Sequence, residues 1–531
     1  MRRTRKSKRI RSPTNSGYSS GGASLQKDSM KSWRPQRLSA KSDIDANLVT
    51  LRNRAADQTI NTPVGAAAIT TSVMHAVGAG LKVFPRLPYK RMGMTAEEAR
   101  AWARKTAAEF ELWAGGTDCD LYRRNNFYDL QNIAYATYLT DGDSFALFRR
   151  KKASPLCPYT LRIQLIEGNR VSNPIGANMI TSVSNYGVEM VNPDNGNRII
   201  SGVEIDRDGA MCAFWVSNKV PGDRVDVDSY TQWQRVEAFG AKTGLPNILQ
   251  ICHDVRAEQY RGVPYLAPVL ENLKEVSRYC SAELTSAIIR SFLSVFFINT
   301  NASNDLNNIL PSAYGKTEEE EYLDPNDYKL GPGTLNSLPK GVDVKTVDSA
   351  STQSAYDSYM THLEKGIAAG LNIPYEVLFK NFNSSYSASR AALLQAQAEF
   401  KTRREWFASD FCQPIYEMWL TEAIALGRIE APGFFDDPLI RKAWCSAEWF
   451  GPTMSILDPV KDANGSALRV TYGLSTRERE AAEMTGSDFE ENIEQLAYEQ
   501  SLVKKLGLDL GDPAVLAGKI AEEGGETNGT E

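Results

Sequence analysis

Side chains able to carry out covalent or acid–base chemistry are sparse in this sequence. His75, His253 and His362 are its three histidines. Only Cys252-His253 sets a thiol beside an imidazole, and the apolar run before it predicts a strand, on which neighbouring side chains point to opposite faces. Seven cysteines, an odd number with no C-x-x-C spacing, argue against a disulfide framework and fit a reducing compartment. Two stretches imitate a phosphate loop. Gly315-Lys316-Thr317 ends like one, but Leu310 stands where the leading glycine is needed, and Ala241-Lys242-Thr243 lacks its glycine altogether. Without that backbone cradle, nucleotide hydrolysis is not expected. No G-x-S-x-G, H-E-x-x-H or EF-hand pattern occurs, and Asp436-Asp437 reads as an ordinary surface pair. The residues therefore predict no catalytic centre, no metal and no cofactor.

A different kind of chemistry is concentrated between Asn372 and Tyr386. Lys380, Asn381, Asn383, Ser384, Ser385 and Tyr386 offer one charge and several neutral polar groups, suited to touching something mobile rather than gripping it. This loop runs into a strong helix former: Ala, Leu, Gln and Glu dominate, with no Gly or Pro before Pro414, and Ser384, Ser385 and Ser387 are all suitable N-caps. Within that helix Arg390, Lys401, Arg403 and Arg404 either line the same surface or pair with Glu399, Glu405 and other nearby acids.

The elements that must position the loop follow from periodicity. Residues 1–42 form a basic arm, poor in apolar residues and expected to be disordered; it either solubilises or binds an acidic partner or nucleic acid. Helices are predicted from Asp43, after Pro63, from Thr95 to Trp113 behind a capping box, and over about 127–139. Short β-branched runs at 161–166, 199–205, 213–216, 235–239 and 247–252 predict a β-rich region. After Arg261-Gly262-Val263-Pro264 one apolar stripe continues from Leu266 to Phe292 as a long helix. An irregular insertion follows, containing Glu318, Glu319, Glu320 and Glu321, then a helix over Tyr356–Ala369, the polar loop and its helix. The last section, from Gln413, reads as several helices, with fourteen acids against five bases from Gly473 onward. The fold class is α+β, mainly helical.

Charge limits the function. Twelve of the sixty Lys and Arg lie in residues 1–41 with a single acid, leaving 48 bases against 64 acids in the rest, a net of −16. So acidic a body is a poor duplex reader, because tight binding neutralises many phosphates. The N-terminus lacks the apolar core of a signal peptide, and the run Ile288–Ile298 is interrupted by Arg290 and too short to span a bilayer, so a soluble intracellular protein is expected.

The order of these elements and their words resembles the portal proteins of tailed bacteriophages, the lambda-type family in particular. The words are Arg261-Gly262, Leu330-Gly331-Pro332-Gly333, Leu338-Pro339-Lys340-Gly341, Ile367-Ala368-Ala369-Gly370-Leu371-Asn372-Ile373-Pro374-Tyr375-Glu376, Ser385-Tyr386-Ser387-Ala388-Ser389-Arg390-Ala391 and Arg403-Arg404. Upstream, Arg52, Arg54, Asn61 and Val77-Gly78-Ala79-Gly80-Leu81 fit too. The resemblance implies a dodecameric ring at a capsid vertex of the virion, assembled in the host cytoplasm, through which double-stranded DNA is packaged and ejected. It implies a wing at 43–264, stem helices at 265–294 and 350–371, and a clip at 295–349. A tunnel loop at 372–386 and a tunnel helix at 387–412 follow, then a wing or crown region at 413–472 and an acidic crown with a frayed tail at 473–531. The implied partners are further copies of the chain, DNA, the large terminase subunit, a head-completion or adaptor protein, and a major capsid or scaffold protein, with no membrane. Glu318–Glu321 would then offer the clip an acidic docking face, unless they are simply solvated.

Two other classes compete: a helical capsid or scaffold protein whose basic arm is the active part, and a nucleic-acid enzyme or motor subunit. The second is the easier to test. Purified protein is expected to hydrolyse neither ATP nor DNA above a buffer blank; activity that disappears in Lys316→Ala would contradict this.

Overall fold

The computed structural model describes residue 18 and residues 22–174, 180–181, 188–223, 231–292, 296–299, 342–345, 353–382, 385–453 and 459–507. Its first helix, α1 (Ala40–Asp43), is capped by Ser39 and overlaps the end of the expected arm; Ala40 packs with Ile44 and Leu48. Next come α2 (Leu48–Asn61) and α3 (Pro63–Ala76), the latter started by Pro63 and by the Thr62 hydroxyl, which accepts from the Gly65 N–H at 3.2 Å. Strand β1 (Lys82–Pro85) and the single turn α4 (Tyr89–Met92) lead to α5 (Ala96–Ala114). There the anticipated capping box is present: Glu98 N–H donates to the Thr95 hydroxyl, and the Glu98 carboxylate accepts from Thr95 N–H. Helix α6 (Phe127–Asp141) carries a second box, Asn126 with Asp129, and ends at Gly142 in the left-handed region.

Strands β2 (Asp143–Arg150) and β3 (Leu161–Glu167) follow, then β4 (Ile180–Thr181), β5 (Glu189–Val191), β6 (Arg198–Ile200), β7 (Val203–Ile205), β8 (Met211–Ser217), β9 (Trp233–Glu237) and β10 (Ile248–Cys252). They form two antiparallel sheets, β10-β2-β3 and the meander β4-β5-β6-β7-β8-β9. The run 199–205, read from the sequence as a single strand, is a hairpin. Ser201 and Gly202 both have positive φ (47° and 88°), which suits a two-residue turn joining twisted strands. Alternation along β2 sends Phe145 and Leu147 into a small core between the two sheets and Ala146 into the main core, so the strand is buried on both faces.

The long helix is α7 (Leu270–Phe292), entered through a single 3₁₀ turn at Ala267–Val269. Strands β11 (Phe296–Asn299) and β12 (Val342–Lys345) pair antiparallel, bringing together the two ends of the insertion. Helix α8 (Gln353–Gly370) returns beside α7, with Leu273 and Val276 of one and Leu363 and Ile367 of the other buried in the main core. The short α9 (Tyr375–Phe379) and long α10 (Tyr386–Phe407) come next. The helix expected to stop at 412 does not stop: a π turn at Ala408–Cys412 passes it into α11 (Gln413–Ala425). Pro414 has no N–H to give the preceding turn, and the π turn absorbs that missing bond without ending the helix. Then come α12 (Pro438–Trp444), β13 (Ala447–Phe450), α13 (Pro459–Thr471), α14 (Arg477–Thr485) and α15 (Phe489–Leu506). Strand β13 interrupts a section read as all helix and pairs antiparallel with β1, more than 360 residues away, a partnership no local pattern announces. Phe110, Phe127, Phe407, Phe411, Tyr416 and Trp419 make the aromatic centre of the main core.

The tightest packing lies where α6 meets the approach to α7. A Cβ on Gly262 would stand 1.7 Å from the Gly142 carbonyl oxygen, a backbone atom that cannot swing aside. Gly262→Ala should therefore lower stability by at least ~2 kcal/mol. Gly465→Ala, on α13 with nothing nearer than 3.7 Å, should be neutral or mildly stabilising. Paired thermal melts check this; equal midpoints would contradict it.

Candidate nucleic-acid interface

Only part of the segment from Asn372 to Tyr386 is a free polar loop. After α8 closes at Gly370, Leu371, Ile373, Val377 and Leu378 are buried in the main core, so residues 371–379 are packed in place. The sequence reading took this stretch as loop because its aromatic and amide residues hide a short apolar stripe at helical spacing. Tyr375 stacks on Phe379 at 5.2 Å, its hydroxyl donates to Glu364 at 3.1 Å, and Asn381 donates to that same hydroxyl at 3.4 Å. Asn381 is therefore half-buried, whereas Lys380 and Phe382 are exposed. Asn383 and Ser384 lie outside the described residues, as does the side chain of Tyr386. Of the three serines suited to capping, Ser385 does it, its Oγ accepting from Ala388 N–H at 3.4 Å.

Two residues hold left-handed backbone here, Asn372 (φ 56°) and Lys380 (φ 55°). Asn tolerates that region; Lys pays about 1 kcal/mol where Gly would pay none. Lys380 closes α9, its N–H bonding to the Glu376 carbonyl, while its side chain projects outward, and no ion pair to it occurs among the described residues.

The bases of α10 divide into two sets. Arg403 bonds Glu399 at 2.8 Å and lies 4.5 Å over the Tyr265 ring; Arg404 donates to the carbonyls of Ala76 (2.8 Å) and His75 (2.9 Å), ending α3. Both brace α10 against the body. Arg390 and Lys401 instead reach Asp462 (2.9 Å) and Glu483 (3.6 Å) of the C-terminal helices. Glu318, Glu319, Glu320 and Glu321 lie outside the described residues, as does the segment around Lys316.

A buried cluster joins α2, β2 and the residues before α7, and the sequence marks it only at its ends, at Arg52 and Arg261 and not at their shared partner, Asp143. Asp143 is fully buried and accepts from Arg52 Nη2 (2.6 Å), from Arg261 Nε (2.6 Å) and Nη2 (3.1 Å), and from Gly262 N–H (3.2 Å). Both guanidiniums also donate to the Gly168 carbonyl, and Arg261 reaches that of Val171. Burial alone would raise the Asp143 carboxyl, but Arg261 and Arg52 hold it below its ordinary value. Nearby Asp141, buried with less compensation, is pushed up to about 6. One carboxylate thus ties α2, β2 and the residues entering α7.

The other reactive groups are accounted for structurally. Burial pushes the Cys252 thiol well up, and its sulfur bonds Asp254 at 3.5 Å, while His253 meets the edge of Trp406 at 5.3 Å. His362 lines an open groove with Tyr279, Asp357, Tyr359 and Lys365. Among the described residues no metal-ligating group of three is found, and no helix is long and apolar enough to cross a membrane.

Comparison with known proteins identifies the family. The model of phage portal proteins of the lambda family matches residues 26–404, and the chain belongs to that family. It is 24% identical over 511 residues to portal protein B of Escherichia phage lambda, covering 93% of this chain and 91% of that one. To the portal protein of Escherichia phage N15 it is 24% identical over 522 residues, again 93% and 91%. Among solved structures, a chain of a native gene transfer agent virion aligns over 85% of this chain and 93% of its own, with 11% identity and a TM-score of 0.41.

If Lys380 is kept at a strained position for its ammonium group, stability and function should separate there. Lys380→Gly is expected to stabilise the protein by ~0.5–1 kcal/mol, and Lys380→Ala to give no such gain. Denaturation midpoints decide, and a destabilised glycine variant would contradict the strain.

Proposed function

We propose that this chain builds a dodecameric ring whose central channel passes double-stranded DNA into and out of a capsid through one vertex. It has no enzymatic activity of its own, and the large terminase subunit supplies the motor. Family membership supports the class. The observation that carries the ring is a pair of helices with exposed apolar residues. Helix α15 has no buried residue yet exposes Ile493, Leu496, Leu502 and Leu506, and α7 exposes Leu284. Such apolar faces on well-formed helices call for neighbours of the same kind. At 23 residues, α7 is about 35 Å long, enough to form a wall.

In this reading the stretch Lys380–Tyr386 faces the bore. Lys380, Asn381, Asn383, Ser384, Ser385 and Tyr386 then touch DNA in passing, one cation per subunit, while the body's net −16 keeps the duplex from being gripped. Arg403 and Arg404 act as braces and Arg390 and Lys401 as the candidate lining. Glu318–Glu321, on the insertion between β11 and β12, meet a basic face of the terminase or an adaptor protein and guide docking. The outer regions contact the major capsid or scaffold protein.

Deleting residues 380–386 should leave ring assembly unchanged in negative-stain images and impair DNA packaging or retention in particles. Loss of the ring would mean that this segment is a packing element and not a contact loop.

A further inference from the structure

The C-terminal helices α13–α15 sit on the body in an unusual way. Among the described residues none beyond Trp449 belongs to the main apolar core or packs against it, and within α13–α15 only Ala482, Ser466 and Glu480 are buried. Their described ties to the rest of the chain are instead largely ionic. Arg86 meets Glu478 at 3.3 Å, Arg100 meets Glu490 at 3.4 Å, and Arg104 pairs with Glu490 and, at 3.0 Å, with Glu494. The two remaining pairs come from α10: Arg390 with Asp462 and Lys401 with Glu483.

Those two bases stand three helical turns apart, so they share one face of α10, with Leu394 half-exposed between them. Of their two carboxylate partners, Glu483 also accepts from Arg479 of α14 at 3.2 Å. Lys401–Glu483 is exposed and Arg390–Asp462 half-buried; surface pairs contribute little each, and screening weakens them. Within its own chain, an element held by several such pairs and by no dry core can leave the surface without unfolding the main core.

We propose that α13–α15 form a charge-held clasp over α10, in which Asp462 and Glu483 occupy the positions that phosphates of a polyanion would take on Arg390 and Lys401. When the clasp opens, a basic face of α10 is uncovered for duplex DNA; when it closes, the carboxylates displace the phosphates. This rests on the reading of Arg390 and Lys401 as channel lining, and it makes that lining conditional rather than permanent.

The test uses the assembled full-length protein and two readouts. Hydrogen exchange of residues 459–507 is compared with that of α6, and binding of a short duplex DNA is measured on the same sample. Asp462→Asn with Glu483→Gln should speed exchange in 459–507 by about 2- to 10-fold and leave α6 unchanged. Raising salt from about 0.1 M to about 1 M, which shortens the screening length from roughly 10 to 3 Å, should do the same to the unaltered protein. Duplex binding at low salt should tighten in the double variant, and the gain should vanish when Arg390→Gln and Lys401→Gln are added. Exchange that ignores both the substitutions and the salt would overturn the clasp. Faster exchange with unchanged DNA binding would overturn the masking, and with it the channel-lining reading of the two bases, while leaving the ionic attachment in place.

Discussion

One buried carboxylate holds this architecture together. Asp143 begins β2 just after α6 ends, and it is bound by Arg52 from α2 and Arg261 from the connection between β10 and α7. Such a cluster is weak evidence for stability, since desolvating three charges offsets most of their attraction. It is strong evidence for geometry. Removing Asp143 leaves two guanidiniums uncompensated in the core, at a cost of about 3–5 kcal/mol, so the elements that carry them are tied through this one carboxylate. The glycine pair at 142 and 262 lets the two backbones approach closely enough for that carboxylate to serve both arginines.

From that joint the rest of the chain takes its direction. Helix α7 leaves it, α8 comes back along α7, and the anchored turn at 371–379 hands the chain to α10, which Arg403 and Arg404 brace against Tyr265 and the end of α3. The exposed residues are few and late in this sequence of contacts. Lys380 projects from a turn whose preceding residues Leu371, Ile373, Val377 and Leu378 are packed in the main core.

Local features were largely readable beforehand. The helix start after Pro63 and the one at Thr95 follow from N1 proline and capping chemistry, the long α7 stripe from its 3.6-residue period, and the Ser385 cap from the polar run before a helix former. What escaped depends on distance or on a single residue. The Ser201-Gly202 turn was hidden in a continuous apolar run. Pro414 looked like a helix end because nothing in a sequence marks a π turn. The β1–β13 pair and the Asp143 cluster join residues with no periodic relation, and resemblance pointed to Arg52 and Arg261 without supplying the partner between them. In the loop, Ile373, Val377 and Leu378 were too few to stand out among Asn, Ser and Tyr, so a packed turn read as a free one. Glu318–Glu321 remain a sequence observation.

The central claim is that a ring of these chains presents the Lys380 segment to a central bore. A three-dimensional reconstruction of the assembled full-length protein tests it most directly. The account predicts a closed ring with rotational symmetry, α7 and α8 in its wall and Lys380 at a narrow point of the channel. An open filament, or a ring with Lys380 on its outer surface, would contradict it.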